Sequence, residues 1–384
     1  MLNKELIAKE YDFLKDVVYL NTSLVSMPPN RVHEAWKKYI DGYVDVYALN
    51  YGTYFEEKLV KARKELAKLL KVDTDEVGFT HSTSDSMTLL ANSFPFQTGD
   101  NVIISSEEHA SNAVPWLGLK RLGVNVKVAK SKDGCLPVED VLALVDDRTR
   151  VIAISGTFFC SGYAIDLKAL GEACQERHIT LAVDGTQCLG RLAIFPRELH
   201  IDFIGSGSHK GLLATKSMGI MYCSRELAAE LKPYTGSLQN VVNGDRPFQL
   251  EDYDDIQWAE GALKLESGNY PYAVIEALGN GVSFINELGI ENIDKAIREM
   301  EAILREKLQG LPMKVLTPPV KNQSGMLFVF YPKTAAPVKV EEILWKYRIR
   351  AKVRFDYIRM TLDFYNTPEQ MDRVAQCLFE IAKL

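Results

Sequence analysis

The chain has 384 residues, of which 47% are hydrophobic and 25% are charged, so we expect a globular protein with more than one domain. The net charge of −6 and the lack of a basic run argue against binding to nucleic acid. No stretch approaches the roughly 18 apolar residues that a membrane span needs, and the start resembles no targeting signal, so we expect no membrane contact and a cytoplasmic location. The six cysteines are scattered, without a Cys-x-x-Cys pair or nearby histidines, which argues against a metal site and a disulfide framework.

Short β-rich runs alternate with amphipathic helical stretches through the first part of the chain. The predicted strands are 77–80, 101–105, 125–130, 150–155, 180–184, 202–206 and 219–223. Helices are predicted at 54–70, 84–94, 137–145 and 167–178. This alternation predicts an α/β fold with a mostly parallel seven-stranded sheet that helices cover on both faces. Such sheets bind ligands at the carboxyl ends of their strands, so functional residues are expected in the loops that follow the strands.

The pattern changes after about residue 240. A polar stretch at 243–255 precedes helical segments at 273–289 and 290–310, strands at 325–331 and 357–364, and a closing helix from residue 368. We interpret this part as a smaller α+β domain. The predicted division is an N-terminal arm at 1–20 that packs with the small domain, a large domain at 21–255, and the small C-terminal domain at 256–384.

Two motifs directly follow predicted strands: AVDGTQ (182–187) and GSGSHKG (205–211). Together they offer the groups that pyridoxal 5′-phosphate (PLP) requires, with Lys210 as the amine for a Schiff base and Asp184 as the carboxylate for the pyridine nitrogen. The carboxylate keeps that nitrogen protonated, so the ring accepts electrons when a bond to the substrate Cα breaks. A low-dielectric site would lower the pKa of Lys210 and favour the neutral nucleophile. Gln187 is the expected donor to the phenolic oxygen of the ring.

Two further segments complete the predicted cofactor site. His109, in SSEEHASNAVPW, is expected to stack on the ring. The segment FTHSTSDS (79–86) places Thr83 and Ser84 at the start of a helix, where backbone N–H groups suit a phosphate. The structural alternatives are that Thr83 and Ser84 only cap the helix with Asp85, and that His109 is a satisfied polar residue.

Six motifs in this order resemble the class V aminotransferase family of fold-type I PLP enzymes. This family contains cysteine desulfurases, selenocysteine lyases and isopenicillin-N-epimerase-like enzymes. The motifs are VYLNTS (18–23), VGFTHSTSDS (77–86), EEHASNAVPW (107–116), AVDGTQ, SHKGLLA (208–214) and IRMTLDFYNTPEQMDRV (358–374).

The resemblance implies roles for further residues. Arg359 would bind the substrate α-carboxylate, Asn21 and Ser23 would lie on the substrate side, and Ser208 and His209 would contact the cofactor beside the lysine. The resemblance also implies a homodimer, in which YTGSLQN (234–240) sends Thr235 or Ser237 to the partner's phosphate.

The sequence departs from the family in three places. Cysteine desulfurases carry a mobile loop with a catalytic cysteine before the arginine segment, whereas here YRIRAKVRFDYIRMTL runs from one predicted element to the next. The family's asparagine near the phenolic oxygen aligns with Phe159. The small hydroxyl residue three positions before the lysine is replaced by Gly207, and the usual G-P-x-G reads TKSMG (215–219), so the phosphate contacts there are expected to be rearranged.

The predicted site residues indicate which reaction intermediate forms, but they are compatible with several products. Lys210 would move the Cα proton of an external aldimine to give a quinonoid, from which β-elimination, transamination and epimerisation all follow. We favour β-elimination of the C–S lyase type on a small α-amino acid, because the resemblance includes lyases that need no cysteine. Class V transamination and amino-acid epimerisation are the alternatives, and a non-catalytic PLP-binding regulator is the alternative of another class. The substrate side chain, the pathway and any partner protein are left open.

Overall fold

The computed structural model describes residues 2–44, 51–242 and 256–384, and the side chains of 51–55 are left aside. The polar stretch at 243–255 lies outside the described residues, so the domain boundary placed there stays a prediction. Within the described ranges, no helix combines the length and the apolar character that crossing a membrane requires.

A seven-stranded sheet forms the centre of the molecule, in the order β2-β8-β7-β6-β5-β3-β4. Its strands are β2 (Val77–Thr80), β3 (Asn101–Ser105), β4 (Asn125–Ala129), β5 (Thr149–Ser155), β6 (Thr180–Asp184), β7 (Phe203–Gly207) and β8 (Gly219–Cys223). Strand β8 runs antiparallel to β2 and β7, and the remaining neighbours are parallel. The predicted mostly parallel seven-stranded sheet is therefore confirmed.

Helices cover this sheet and also form much of the C-terminal part of the chain. They are α1 (Lys4–Glu10), α2 (Asn30–Asp41), α3 (Tyr51–Leu70), α4 (Thr83–Ser93), α5 (Ala110–Leu117), α6 (Val138–Leu142), α7 (Leu167–Glu176), α8 (Arg225–Glu230), α9 (Tyr272–Leu288), α10 (Ile290–Lys307), α11 (Pro337–Lys346) and α12 (Pro368–Ile381). Every residue of β3, β7 and β8 is buried, as expected for strands covered on both faces, whereas the edge strand β4 is partly exposed.

A second, antiparallel sheet lies in the C-terminal part, in the order β12-β13-β10-β9. Its strands are β9 (Lys314–Leu316), β10 (Met326–Phe330), β12 (Lys352–Val353) and β13 (Tyr357–Thr361). The N-terminal strand β1 (Val18–Tyr19) pairs in parallel with β11 (Ile349–Arg350), so the start of the chain joins this C-terminal part.

The parallel strands β5, β6 and β7 bring their carboxyl ends to one edge of the large sheet. Ser155 at the end of β5 is the register partner of Asp184 at the end of β6, and Asp184 in turn pairs with Gly205 of β7. The segment after β1 reaches the same edge, because the backbone N–H of Ser26 donates to the carbonyl of His209 at 2.9 Å. Residues from distant parts of the sequence therefore meet here.

Candidate active site

Asp184 and Lys210 follow neighbouring strands at this edge. Asp184 is the last residue of β6, is 5% exposed, and accepts a hydrogen bond from the backbone N–H of Thr186 at 2.9 Å. Burial raises the pKa of Asp184, which the positive charge of Lys210 opposes. Burial, aided by the charge of Arg359, lowers the pKa of Lys210 to about 8, although Asp184 acts in the other direction. The site thus holds a lysine that is neutral far more often than an exposed lysine is.

His109 owes its orientation to the start of α5. It is the N-cap residue of this helix, and its Nδ1 accepts a hydrogen bond from the backbone N–H of Ser111 at 3.2 Å. Its ring meets the ring of Phe159 edge-on, with 5.1 Å between the centroids. The pKa of His109 is lowered, first by partial burial and then by the charge of Lys210. The sequence-predicted stacking residue therefore has a fixed orientation, and the positive charge of Lys210 disfavours its protonated form.

The segment before α4 offers small polar groups beside the end of β7. Ser82, rather than Thr83 or Ser84, is the N-cap, and its hydroxyl accepts from the N–H of Asp85 at 3.1 Å. Thr83 is buried and its hydroxyl lies 2.7 Å from that of Thr186. Ser84 is exposed. The hydroxyl that satisfies the helix start is thus separate from those proposed to hold a phosphate.

Because Gly207 has no side chain, space remains between the segment before α4 and the loop that carries Lys210. A Cβ at this glycine would lie 3.1 Å from the His209 ring and 3.4 Å from the Thr83 hydroxyl, so the three residues enclose one small volume. Burial lowers the pKa of His209 to about 4, with further contributions from Lys210 and Lys216. Ser208 is fully buried, and its hydroxyl donates to the carbonyl of Thr215 at 2.7 Å. Ser208 therefore stabilises the loop around Lys210.

Gln187 makes a contact that the sequence did not suggest. Its side-chain amide donates to the backbone carbonyl of Ser23 at 3.1 Å, which ties the N-terminal segment to the loop after β6. A carboxamide has two N–H groups, so one remains for a second acceptor. Ser23 itself is buried, and its hydroxyl has no hydrogen-bond partner among the described residues.

Arg359 lies on β13 and is 6% exposed. Its Nη1 donates to the carbonyl of Phe159 at 3.3 Å, while its buried Nε has no partner within the described part of the chain. Asn21 forms a bridge with Thr361, two residues further along β13, and its buried Oδ1 likewise has no described partner. The predicted substrate-side residues thus present polar atoms that nothing else in the described chain satisfies.

Thr235 and Ser237 lie outside this cluster of contacts. Ser237 caps a short helical turn and donates its hydroxyl to the carbonyl of Glu266 at 3.2 Å. The buried hydroxyl of Thr235 has no hydrogen-bond partner in the described ranges. Of the two residues predicted to reach a partner subunit, Thr235 is the one with an uncommitted hydroxyl.

Glu108, next to His109, was not recognised in the sequence. It receives hydrogen bonds from both the backbone N–H (2.9 Å) and the hydroxyl (2.6 Å) of Ser155, and from the amide of Asn112 at 2.7 Å. Burial raises its pKa to about 7, and the negative charge of Asp184 adds to this effect. Glu108 joins α5, which carries His109, to the end of β5. In the sequence, only its position next to His109 indicated that Glu108 could be a site residue.

Cys160, in the turn after β5, is held by Glu107. Its thiol donates to the Glu107 carboxylate at 2.5 Å, and both burial and this carboxylate raise the pKa of the thiol. Cys188 and Cys377 are fully buried. The thiol nearest to the predicted pocket is therefore held protonated.

The residues at this edge fit PLP in the chemistry of their groups. They supply an amine of lowered pKa, a buried carboxylate, an imidazole of fixed orientation, and small hydroxyl groups near a helix start. The unsatisfied polar atoms of Asn21, Ser23 and Arg359 are those that an amino-acid substrate could satisfy. Together with the large parallel sheet, this set of groups defines a fold-type I PLP site.

Comparison with known proteins identifies the family. The sequence model of the family described as aminotransferase class-V matches residues 18–374, and the chain belongs to this family. It is therefore a PLP-dependent enzyme.

Individual relatives are similar to this chain over nearly its whole length. A probable cysteine desulfurase of Methanothermobacter thermautotrophicus is 26% identical, over 99% of this chain and 98% of the relative. The structure is similar to that of a cysteine desulfurase from Thermococcus onnurineus, with a TM-score of 0.86, 21% identity, and coverage of 100% of this chain and 98% of the other. It is also similar to the cystine C–S lyase C-DES in complex with its reaction product cysteine persulfide, with a TM-score of 0.85, 17% identity, and coverage of 97% and 99%. These structural similarities confirm the fold.

Proposed function

We propose that this enzyme breaks the bond between Cβ and sulfur of a small sulfur-containing α-amino acid by β-elimination. The observation that carries this proposal is the state of the thiols. The β12–β13 connection is a tight turn, in which the N–H of Arg354 donates to the carbonyl of Tyr357 at 2.8 Å. No space remains there for a loop that would carry a nucleophilic cysteine.

The other thiols support the same conclusion. A persulfide-forming cysteine must be an accessible thiolate, and burial raises the pKa of Cys174, Cys188 and Cys377 to about 12. Burial likewise raises the pKa of Cys135, Cys160 and Cys223, so we infer that the sulfur leaves with its own substituent and not on a thiol of the enzyme. Named relatives among cysteine desulfurases and a cystine C–S lyase add support for chemistry at a carbon–sulfur bond.

The proposed roles follow from the geometry of the site. Bound PLP supplies an electron sink for the pair released at Cα, and Asp184 stabilises the positive charge that this requires. Arg359 binds the substrate carboxylate, and Asn21 and Ser23 accept or donate on the same side. Lys210, whose pKa is about 8, removes the Cα proton.

The remaining steps are cleavage of the Cβ–S bond and hydrolysis of the product. The Cβ–S bond breaks with its electron pair on sulfur, which takes up a proton. The unsaturated amino acid that remains adds water and yields pyruvate and ammonia. His109 and Phe159 cover the site, and Thr83, His209 and the helix start after Ser82 are proposed to hold the phosphate.

The test is to incubate the purified holoenzyme with L-cysteine, L-cystine, L-serine and L-alanine, and to measure pyruvate, ammonia, sulfur products and keto acids. We expect pyruvate and ammonia in equal amounts from a sulfur-containing amino acid, and none from the Lys210→Ala variant. A keto acid with the carbon skeleton of its substrate would identify a transaminase instead. Loss of optical activity without pyruvate would identify an epimerase, and no turnover of any amino acid would favour a regulator.

The proposal includes a homodimer in the cytoplasm. The exposed side chains of Tyr234 and Leu238, which lie on either side of Thr235, support a dimer in which this segment of each subunit lies near the phosphate site of the other. Six unpaired cysteines support a reducing compartment.

A further inference from the structure

Arg191 is a buried cation that the proposed chemistry does not use. It is 2% exposed and follows the helical turn after β6 that contains Gln187. Its Nη1 donates to the carbonyl of Gln187 at 3.1 Å, and its Nη2 donates to the carbonyls of Ser324 at 3.0 Å and Leu362 at 2.8 Å. The Arg191 guanidinium thus connects three segments through the carbonyls it binds.

The three carbonyls belong to segments that carry different parts of the site. Gln187 lies in the loop that follows Asp184. Ser324 precedes β10, and Leu362 follows β13, three residues after Arg359. Arg191 is thus a direct link between the loop proposed to contact the cofactor and the strand that carries the proposed carboxylate ligand.

Asp363 faces this guanidinium but does not bond to it. Its Oδ2 lies 3.8 Å from the Nε of Arg191, and the two side chains are 1% and 2% exposed. Neither of these two atoms has a hydrogen-bond partner within residues 2–44, 51–242 and 256–384. A charge-assisted hydrogen bond would be about 1 Å shorter, near 2.8 Å. Burial of two charges without such a bond is unfavourable, so a small movement of the segment after β13 that brings Asp363 closer to Arg191 would be stabilising.

We propose that Arg191 and Asp363 are positioning residues whose ion pair closes when an amino-acid carboxylate engages Arg359. The shift would carry Leu362 and Arg359 with it, because they lie on the same short segment, and would be transmitted to Gln187 through Arg191. The inference rests on the proposed carboxylate-binding role of Arg359. It adds a mechanism by which substrate binding orders the cofactor loop.

The experiment measures the binding of L-alanine to the holoenzyme, through the change in the visible absorption of the bound cofactor. L-Alanine has the α-carboxylate and α-amine but no leaving group, so binding is read separately from elimination. We expect Asp363→Asn to weaken L-alanine binding by about tenfold, and Arg191→Lys by a similar factor, at unchanged cofactor content; a misplacement of about 1 Å is known to cost up to a hundredfold. In an Arg359→Lys background, Asp363→Asn should cost less than about twofold, because the two residues act through one segment.

Arg63→Lys is the matched control for loss of stability. Arg63 also forms a buried ion pair, with Glu266 at 2.8 Å, and its guanidinium lies over the ring of Phe79. We expect this variant to melt at a lower temperature but to bind L-alanine as the wild type does. If Arg191→Lys fails to fold, the isosteric Asp363→Asn carries the test alone.

Three outcomes would overturn the inference. They are unchanged L-alanine binding by Asp363→Asn, an equal loss in the wild-type and Arg359→Lys backgrounds, and a loss no larger than that of Arg63→Lys. Binding of L-alanine without any cleavage of a carbon–sulfur bond would instead contradict only the proposed function.

Discussion

At the scale of single residues, the charged groups of the candidate site compensate one another only in part. Lys210 is buried among groups of both signs, and the balance lowers its pKa to about 8. Only the neutral amine attacks an aldehyde, so attachment of the cofactor depends on this pKa.

The pH dependence of cofactor attachment follows from this value. The neutral fraction of Lys210 rises with pH, so the rate at which apoprotein incorporates PLP should rise and reach half its maximum near pH 8, as followed by absorption. Removing the positive charge of Arg359 raises the pKa of the lysine, so the midpoint should move to higher pH in Arg359→Gln. A midpoint near the ordinary lysine pKa of about 10.4 would contradict the proposed environment.

Arg359 should control substrate binding rather than cofactor binding. Arg359→Lys retains the charge but loses the planar pair of N–H groups, and we expect kcat/KM to fall at least about thirtyfold, equivalent to roughly 2 kcal/mol, with normal PLP content. Arg354→Lys is the control, because Arg354 is an exposed arginine near the same strand. Equal effects of the two substitutions would show that Arg359 is not the carboxylate ligand.

Some of these residues were predictable and others were not. Lys210 and Asp184 could be recognised because each directly follows a strongly apolar strand. Glu108 and Arg191 could not, because their importance lies in contacts with Ser155 and Leu362, which are distant in the sequence. Burial of a charged side chain by remote segments leaves no local pattern.

At the scale of elements, helix starts and strand ends determine where the site residues point. The N-cap position of His109 fixes its ring, and Ser82 satisfies the first turn of α4. The seven strands of the large sheet were predictable from their β-rich runs. The two-residue strands β1, β11 and β12 were not, because such short segments acquire their pairing only from the tertiary fold.

The thiol chemistry can be tested by substituting Cys160, in the turn after β5, and two buried cysteines in other elements. Cys160→Ser, Cys188→Ala and Cys377→Ala should each keep at least about half of the activity, because in the proposed mechanism Lys210 moves the proton and no thiol receives sulfur. Turnover of the best sulfur-containing substrate and mass spectrometry of the intact protein are the measurements. A loss of several hundredfold in one variant, with a persulfide trapped at that cysteine in the wild type, would show that the enzyme transfers sulfur.

At the scale of the whole molecule, several exposed apolar side chains lie in the segments around Thr235 and Val241 and on α5. They include Leu117 on α5, Tyr234, Leu238 and Trp258, which are 37–58% exposed. The N–H of Tyr234 donates to the hydroxyl of Ser93 at the end of α4, which packs against α5. A patch of this kind is typical of a surface that another chain covers.

We therefore expect a dimer in sedimentation at micromolar concentration. Leu117→Glu should weaken the dimer and also lower PLP affinity, since the segment around the partner's Thr235 would no longer complete the proposed phosphate site. Phe355→Glu is the control, because this phenylalanine is 94% exposed in the β12–β13 turn and should leave the dimer intact. A stable, fully active monomer would exclude the shared site.

The central claim is that Lys210 carries the cofactor, and one measurement addresses it directly. The holoenzyme is reduced with borohydride, which fixes a Schiff base as a stable amine, and its peptides are analysed by mass spectrometry. The account predicts that the added mass of reduced PLP lies on Lys210 in the peptide around SHKGLLA, with none on the Lys210→Ala variant. Attachment at another lysine such as Lys216, or normal turnover by Lys210→Ala, would contradict it.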